Sequence, residues 1–233
     1  MLELSNLQAR YGDSLVLDGI NLRVQSGQGV ALLGRNGAGK TTLLKSIVGG
    51  GPTVTGEVRF LGIALNEQAT HMRARAGLTL VPEDRRIFAH LSVNENLLLA
   101  RHACVEGAML DVVQVYAWFP VLADLKNRMG NQLSGGQQQI LAVARGLMPR
   151  PKCMLLDEPT EGVAPLLVKQ MADQINLARR EQGSALLLAE QNLWFSRYCT
   201  DYVYMIDTGR IVFEGDWEHF DHHPEMINRY LAV

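Results

Sequence analysis

An α/β fold is what the sequence predicts, and three stretches predict it. Gly34-Arg35-Asn36-Gly37-Ala38-Gly39-Lys40-Thr41 fits the phosphate-loop pattern G-x-x-x-x-G-K-[ST] at every fixed position. The apolar run Cys153-Met154-Leu155-Leu156 ends in two carboxylates, Asp157 and Glu158. Between these lies Leu133-Ser134-Gly135-Gly136-Gln137, a hydroxyl and two glycines at the head of a helical pattern. The expected architecture is one domain over residues 1–233. Its α/β core covers 1–91 and 150–233, with an antiparallel β region at the N-terminus and an α-helical subdomain inserted at 92–149.

The first 28 residues read as strands and turns. Leu2-Glu3-Leu4, Leu15-Val16-Leu17 and Ile20 to Val24 carry the alternation of half-buried strands, with Tyr11 and Gly12 between them. Gly29 to Leu33 is a short buried strand, and Thr42 to Val48 is a helix with Leu43, Leu44, Ile47 and Val48 on one face. Strand, loop, helix is the context the phosphate loop requires. Gly34, Gly37 and Gly39 let backbone N–H groups turn inward around a polyphosphate with no Cβ in the way. The helix N-terminus adds its partial positive charge. Lys40 can then reach the β- and γ-phosphates and the Thr41 hydroxyl can bind Mg²⁺; Asn36 and Thr42 belong to the same nucleotide-binding set.

Gly49-Gly50-Gly51-Pro52 stops that helix. Glu57 to Leu61 resumes strand alternation, residues 70–76 form a short polar helix, and Leu78 to Val81 is a buried strand ended by Pro82-Glu83. From Ser92 to Pro149 the pattern is helical and lacks strand signals. Ser92-Val93-Asn94-Glu95 is a capping box opening a helix through Ala100. Residues 108–119 form a helix stopped by Pro120, and residues 137–148 a helix with a broad apolar face. Strand signals return at Cys153 to Leu156 and Ala185 to Ala189, with a helix over 166–182 between them. Tyr202 to Ile206, a turn, and Ile211 to Glu214 make a hairpin, and the tail from Trp217 to Val233 is helical and peripheral.

Composition narrows the function classes. The chain has 233 residues, 47% of them hydrophobic, and a formal net charge of −2. No global basic field suggests a nucleic-acid partner. Cys104, Cys153 and Cys199 show neither C-x-x-C spacing nor an even count, so no zinc site or disulfide framework is signalled, and a reducing compartment fits. Cys153 reads as a buried core thiol. The N-terminus carries no signal-peptide pattern, and no run reaches the roughly 18 apolar residues of a membrane helix.

In a parallel sheet the C-terminal strand ends open on the ligand crevice. Asp157 is therefore expected beside the phosphate loop, holding Mg²⁺ directly or through water, and Glu158 is placed to accept a proton from, or orient, an attacking water. Ser134, Gly135, Gly136 and Gln137 form a second anion cradle. One nucleotide seldom needs two cradles, so they serve two nucleotides, or one nucleotide shared between two chains.

The ordered set Tyr11, G-R-N-G-A-G-K-T, L-S-G-G-Q and M-L-L-D-E-P-T resembles the ATPase subunits of ATP-binding cassette transporters over essentially the whole chain. The resemblance implies a P-loop NTPase (RecA-like) core, ATP and Mg²⁺ as ligands, and Tyr11 stacked on adenine. It implies a head-to-tail dimer with a second cassette, identical or different, in which each ATP lies between one phosphate loop and the other chain's signature. It also implies two transmembrane permease subunits, a solute-binding protein acting indirectly, no nucleic acid, and a peripheral place on the cytoplasmic face of the cell (inner) membrane. Three positions depart from the common cassette pattern: Glu83 for a Gln, Gln191 for the switch His, and Ala164 for an acid. V-P-E-x-R-R-I-F, A-E-Q-N and G-V-A-P together are similar to the branched-chain amino-acid importer ATPases, with urea and short-chain amide importers close by. By that resemblance Glu83 is a metal ligand and catalytic residue, Gln191 positions the γ-phosphate, and Glu158 carries hydrolysis.

A rival of another class is a soluble cassette ATPase of translation or nucleic-acid repair, but such chains carry two cassettes or a long coiled coil, and neither is present. Weaker candidates are His219, His222 and His223, read as a solvated turn rather than a metal site, and Trp118-Phe119, a partner-contacting edge or core packing. Arg85-Arg86 is a basic face or a solvated pair.

Overall fold

A computed structural model describes residues 1–100, 110–224 and 226. Two long strands, β1 (Leu2–Tyr11) and β2 (Ser14–Val24), form an antiparallel hairpin at the start of the chain. β4 (Thr53–Phe60) pairs on the other side of β1 and is followed by β5 (Ile63–Ala64), giving the order β2-β1-β4-β5. The sequence pattern predicts three short strands where two long ones stand. Register shifts along β1 and β2 absorb the residues that break alternation. Asn6 adopts φ 48° at one of them, and its N–H donates to Asn21 Oδ1 at 2.9 Å.

The second sheet contains β3 (Gly29–Leu33), β6 (Leu78–Val81), β7 (Cys153–Asp157), β8 (Ala185–Glu190), β9 (Tyr202–Asp207) and β10 (Arg210–Asp216) in the order β10-β9-β3-β8-β7-β6. Every pairing is parallel except β9 with β10. Strands β3, β7 and β8 are buried along their whole length, which is why they read as unbroken apolar runs. Helix α1 (Lys40–Val48) and the antiparallel sheet share a core with one face of this sheet. α7 (Pro165–Gln182) and α8 (Leu193–Cys199) share a core with the other. α2 (Thr70–Arg75) precedes β6, and α9 (Trp217–Asp221) follows β10.

Between β6 and β7 come α3 (Val93–Leu99), α4 (Val112–Trp118), α5 (Pro120–Asp124), a 3-10 turn at Gly130–Gln132 and α6 (Gly135–Leu147). The Ser92–Glu95 capping box is present, with Ser92 N–H donating to Glu95 Oε2 at 2.8 Å. One isolated bridge, Ser92 to Met129, interrupts the helical block that the sequence reads as free of strand pairing. Helix α4 ends before Pro120 as expected, at Trp118, and Pro120 also starts α5: proline at the first helical position lacks only an N–H that would have no intrahelical partner. α8 carries no expectation from the sequence pattern. The expected starts and ends near 101–108, Cys104, and the tail at 225 and 227–233 lie outside the described residues. Trp118 and Phe119 are buried in the core beneath α6, which decides between the two readings of that pair. Cys153 and Cys199 are buried free thiols, and burial pushes both up to about 12.

Candidate nucleotide site

The order of the second sheet sets β3 beside β8 and β8 beside β7, so three strand ends converge. The loop after β3 needs its glycines. Gly37 and Gly39 adopt φ 82° and 114°, and a Cβ on Gly34 would stand 2.4 Å from the Ile206 carbonyl oxygen. Lys40, the first residue of α1, is buried. Its Nζ donates to Gly34 O at 2.6 Å and Arg35 O at 3.2 Å, and lies 2.9 Å from Glu158 Oε1. Thr41 Oγ1 donates to Asp157 Oδ1 at 3.1 Å. Thr42 sits half-buried in the same turn.

Asp157 closes β7 and is only 1% exposed. Burial pushes its carboxyl up to about 6; the Glu158 and Glu83 charges push the same way, while the Thr41 hydroxyl and Lys40 oppose them. Glu158 follows with φ 45°, its N–H donating to Ala189 O at 2.9 Å. That left-handed backbone breaks the strand direction at the carboxylate. Glu83 is also raised, by burial first and then by Glu161, Glu158 and Asp84. Gln191 Nε2 donates to Asn36 Oδ1 at 2.6 Å and stands 3.2 Å from both Glu158 oxygens. The structure therefore brings Asn36, Lys40, Thr41, Asp157, Glu158 and Gln191 together, with Glu83 close enough to feel the same charges.

Other expected residues stand apart. Ser134 caps α6, and Gln137 completes its capping box through 2.9 and 3.3 Å bonds. Gly135 lies against the Arg85 guanidinium, and Gly136 against Leu167 and Val163. Neither Lys40 nor Thr41 is a partner of Ser134 or Gln137. Tyr11, at the end of β1, is 44% exposed and beside Gly51, on the rim of a 580 Å³ groove that also meets Lys45 and Pro82.

Arg85 and Arg86 part company. Arg85 Nη1 donates to Gln138 at 3.3 Å, whereas Arg86 pairs with Asp84 at 3.0 Å. His219 and His223 pack on the Phe213 ring at 5.3 and 5.8 Å and on each other at 5.1 Å. Sequence reasoning missed Glu190, buried at the end of β8, which accepts hydrogen bonds from Thr160, Gln191 and Asn192. The available signal was an acid closing an otherwise apolar strand.

The family model described as ABC transporter matches residues 17–161. The chain belongs to the ABC transporter family. Along its full length the cassette is 34% identical over 233 residues to the high-affinity branched-chain amino acid transport ATP-binding protein BraG of Pseudomonas aeruginosa, all of which is covered. It is 32% identical over 234 residues to the probable branched-chain amino acid transport ATP-binding protein LivF of Archaeoglobus fulgidus, covering 100% of this chain and 99% of that one. The fold is shared with the ATP-binding cassette MJ0796, solved as a post-hydrolysis dimer bound to ADP and Pi. The TM-score is 0.82 at 24% identity over 93% of this chain and 98% of that one. As a member of this family, the cassette is an ATP-binding ATPase. Among its described residues no helix is long and apolar enough to cross a membrane.

Proposed function

We propose that the cassette powers import of branched-chain or hydrophobic amino acids, working with a second cassette, two permease subunits and, indirectly, a solute-binding protein. We place it on the cytoplasmic face of the cell membrane. The observation that carries the transport assignment is the end-to-end match to BraG and LivF.

In our reading, Lys40 and the loop N–H groups of Gly37, Gly39 and Thr41 hold the β- and γ-phosphates of ATP. Tyr11 stacks on the adenine. Ser134 to Gln137 of the second cassette close over the γ-phosphate, giving the second cradle its role.

Mg²⁺ fits the donor set. Asp157 is buried beside a hydroxyl, and burial first, then the charges of neighbouring carboxylates, raises both Asp157 and Glu83. No group of three or more His, Cys, Asp or Glu among the described residues could hold a metal alone. Mg²⁺ needs none, because it takes one or two carboxylates and completes its shell with phosphates and water. Thr41 and Asp157, with Glu83 at the edge, would hold it. When bound, it supplies charge neutralisation along the phosphates.

Glu158 accepts a proton from water as the water oxygen bonds to the γ-phosphorus. The bond from that phosphorus to the β–γ bridging oxygen breaks, and ADP leaves with the electron pair. Gln191 donates hydrogen bonds and cannot carry the charge a histidine could.

Permease helices would dock beside Glu83 to Phe88. There a groove of 460 Å³ is lined by Leu80, Pro82, Phe88, Leu99 and Arg145, and the Phe88 ring is half exposed. The test is uptake by proteoliposomes containing the whole transporter. ATP-dependent accumulation of leucine is expected, and it should cease with the Lys40→Ala cassette. Accumulation of urea without leucine would transfer the assignment to amide import. ATPase activity stimulated by ribosomes or DNA would end the transport reading.

A further inference from the structure

Glu190 is a buried carboxylate, 2% exposed, at the point where β8 enters the Gln191 loop. Its Oε1 accepts from the Thr160 N–H at 3.0 Å and the Thr160 hydroxyl at 2.6 Å. Its Oε2 accepts from the N–H groups of Gln191 at 2.8 Å and Asn192 at 2.9 Å. Among the described residues no cation pairs with it. Four donors therefore supply what a buried carboxylate requires, and they come from two loops. One loop follows Asp157 and Glu158; the other carries Gln191.

Each loop has its own place in the site. Gln191 reaches Asn36 of the phosphate loop and both oxygens of Glu158. Beyond Thr160 the chain runs through Glu161 to Val163, and Val163 packs where a Cβ on Gly136 would be 3.6 Å away. Gly136 belongs to the second cradle. Glu190 thus stands between the amide beside Glu158 and the segment that abuts Ser134 to Gln137.

We propose that Glu190 is a positioning residue for ATP hydrolysis. One carboxylate oxygen fixes the backbone that aims the Gln191 amide; the other ties that backbone to Thr160, so the two loops move as a unit. A neutral amide gives weaker electrostatic help than an imidazolium, so its contribution depends on being aimed in advance. A threonine or apolar residue at this position could not accept from both loops at once. The proposal rests on the ATPase reading and adds a residue to it.

Glu190→Gln tests it, because the amide oxygen can accept from one loop only, while the amide nitrogen, a donor, must face the other loop's N–H groups and so breaks the tie between them. In the assembled transporter the expected result is a fall in kcat on the order of 10- to 100-fold, with KM for ATP within about twofold. Combining it with Gln191→Ala should cost little beyond Gln191→Ala alone, since both remove the same aimed amide. Thr160→Val, which removes one hydroxyl and keeps the backbone donors, should give a smaller fall in kcat and likewise be masked by Gln191→Ala. It serves if Glu190→Gln does not fold. Multiplicative losses in the double variants, or Glu190→Gln and Thr160→Val both keeping kcat within about twofold of wild type, would overturn the proposal. A wild-type transporter that hydrolyses no ATP would instead sink the ATPase reading itself.

Discussion

Lys40 is committed to three oxygens: the carbonyls of Gly34 and Arg35 and the carboxylate of Glu158. In the proposed mechanism a γ-phosphate entering the loop would compete for the same ammonium, and Glu158 released from it would become a freer base. Glu158→Gln should therefore keep ATP affinity, or raise it, while turnover falls at least by the roughly 10²–10⁴-fold typical of a lost general base. Nucleotide retention on a desalting column and phosphate release measure the two quantities, and unchanged turnover would remove Glu158 from its role. Asp157 allows a pH prediction. Its folded value of about 6 lies above the ordinary 3.8, so the folded protein holds the extra proton between them. Stability contributed by this group is complete below about 4 and is lost as pH rises through about 6, a loss of at most about 3 kcal/mol. In metal-free protein, Asp157→Asn should remove that decline and unfold at higher urea than wild type at pH 7–8. Equal midpoints across pH 4–8 would show that burial does not strain this carboxylate. Most residues in these arguments were legible because each sits in a short motif with fixed spacing. Glu190 was not, because the Thr160 donors that hold one of its oxygens lie 30 residues away and the other two are backbone N–H groups of Gln191 and Asn192, which no side-chain pattern marks; an acid closing an apolar strand was its one local signal.

At the scale of elements, legibility followed periodicity. β3, β7 and β8 are unbroken apolar runs, and α6 presents a broad apolar face, so both kinds were readable. The β1–β2 hairpin was read in fragments because its bulges break the period of two. α2 was recognised as short and polar, and that polarity concealed its purpose. Arg73 is 5% exposed and crosses to the end of α1, donating to Ile47 O at 2.8 Å and Ser46 O at 3.2 Å, and to Gln68 O at 2.9 Å. A guanidinium there satisfies carbonyls that a helix C-terminus leaves unpaired and complements the negative end of its dipole. The same α1 holds Lys40 and Thr41 at its other end, so Arg73 braces the phosphate loop from behind. Arg73→Met keeps most of the stem and removes the donors. A loss of about 2–4 kcal/mol in urea unfolding is expected, with little change in ATP affinity of the protein that remains folded. A loss below about 0.5 kcal/mol would show that water or neighbouring groups take over those carbonyls.

At the scale of the molecule, the two glycine-bearing helix starts of one chain have different surroundings. The phosphate loop lies among Asn36, Asp157, Glu158 and Gln191, whereas Ser134 to Gln137 lie against Arg85, Val163 and Leu167. Their hydrogen bonds also differ. Lys40 and Thr41 are directed at groups that a nucleotide and metal would replace, while Ser134 and Gln137 satisfy each other in a capping box. That arrangement suits a surface meeting a nucleotide held elsewhere, so the proposed catalytic unit is a pair of cassettes. Two consequences separate this from a self-sufficient chain. Dilute cassette should bind ATP with one affinity and hydrolyse it slowly, with turnover per chain rising as concentration or the partner cassette is increased. Ser134→Arg, which places a long charged side chain on the second cradle, should leave ATP binding to the dilute protein unchanged within about twofold. The same substitution should abolish the concentration-dependent rise, because the obstructed surface belongs to the neighbour's site. Light scattering must accompany the rates: full turnover by protein that remains strictly monomeric, in wild type or in Ser134→Arg, would mean that one chain completes its own site.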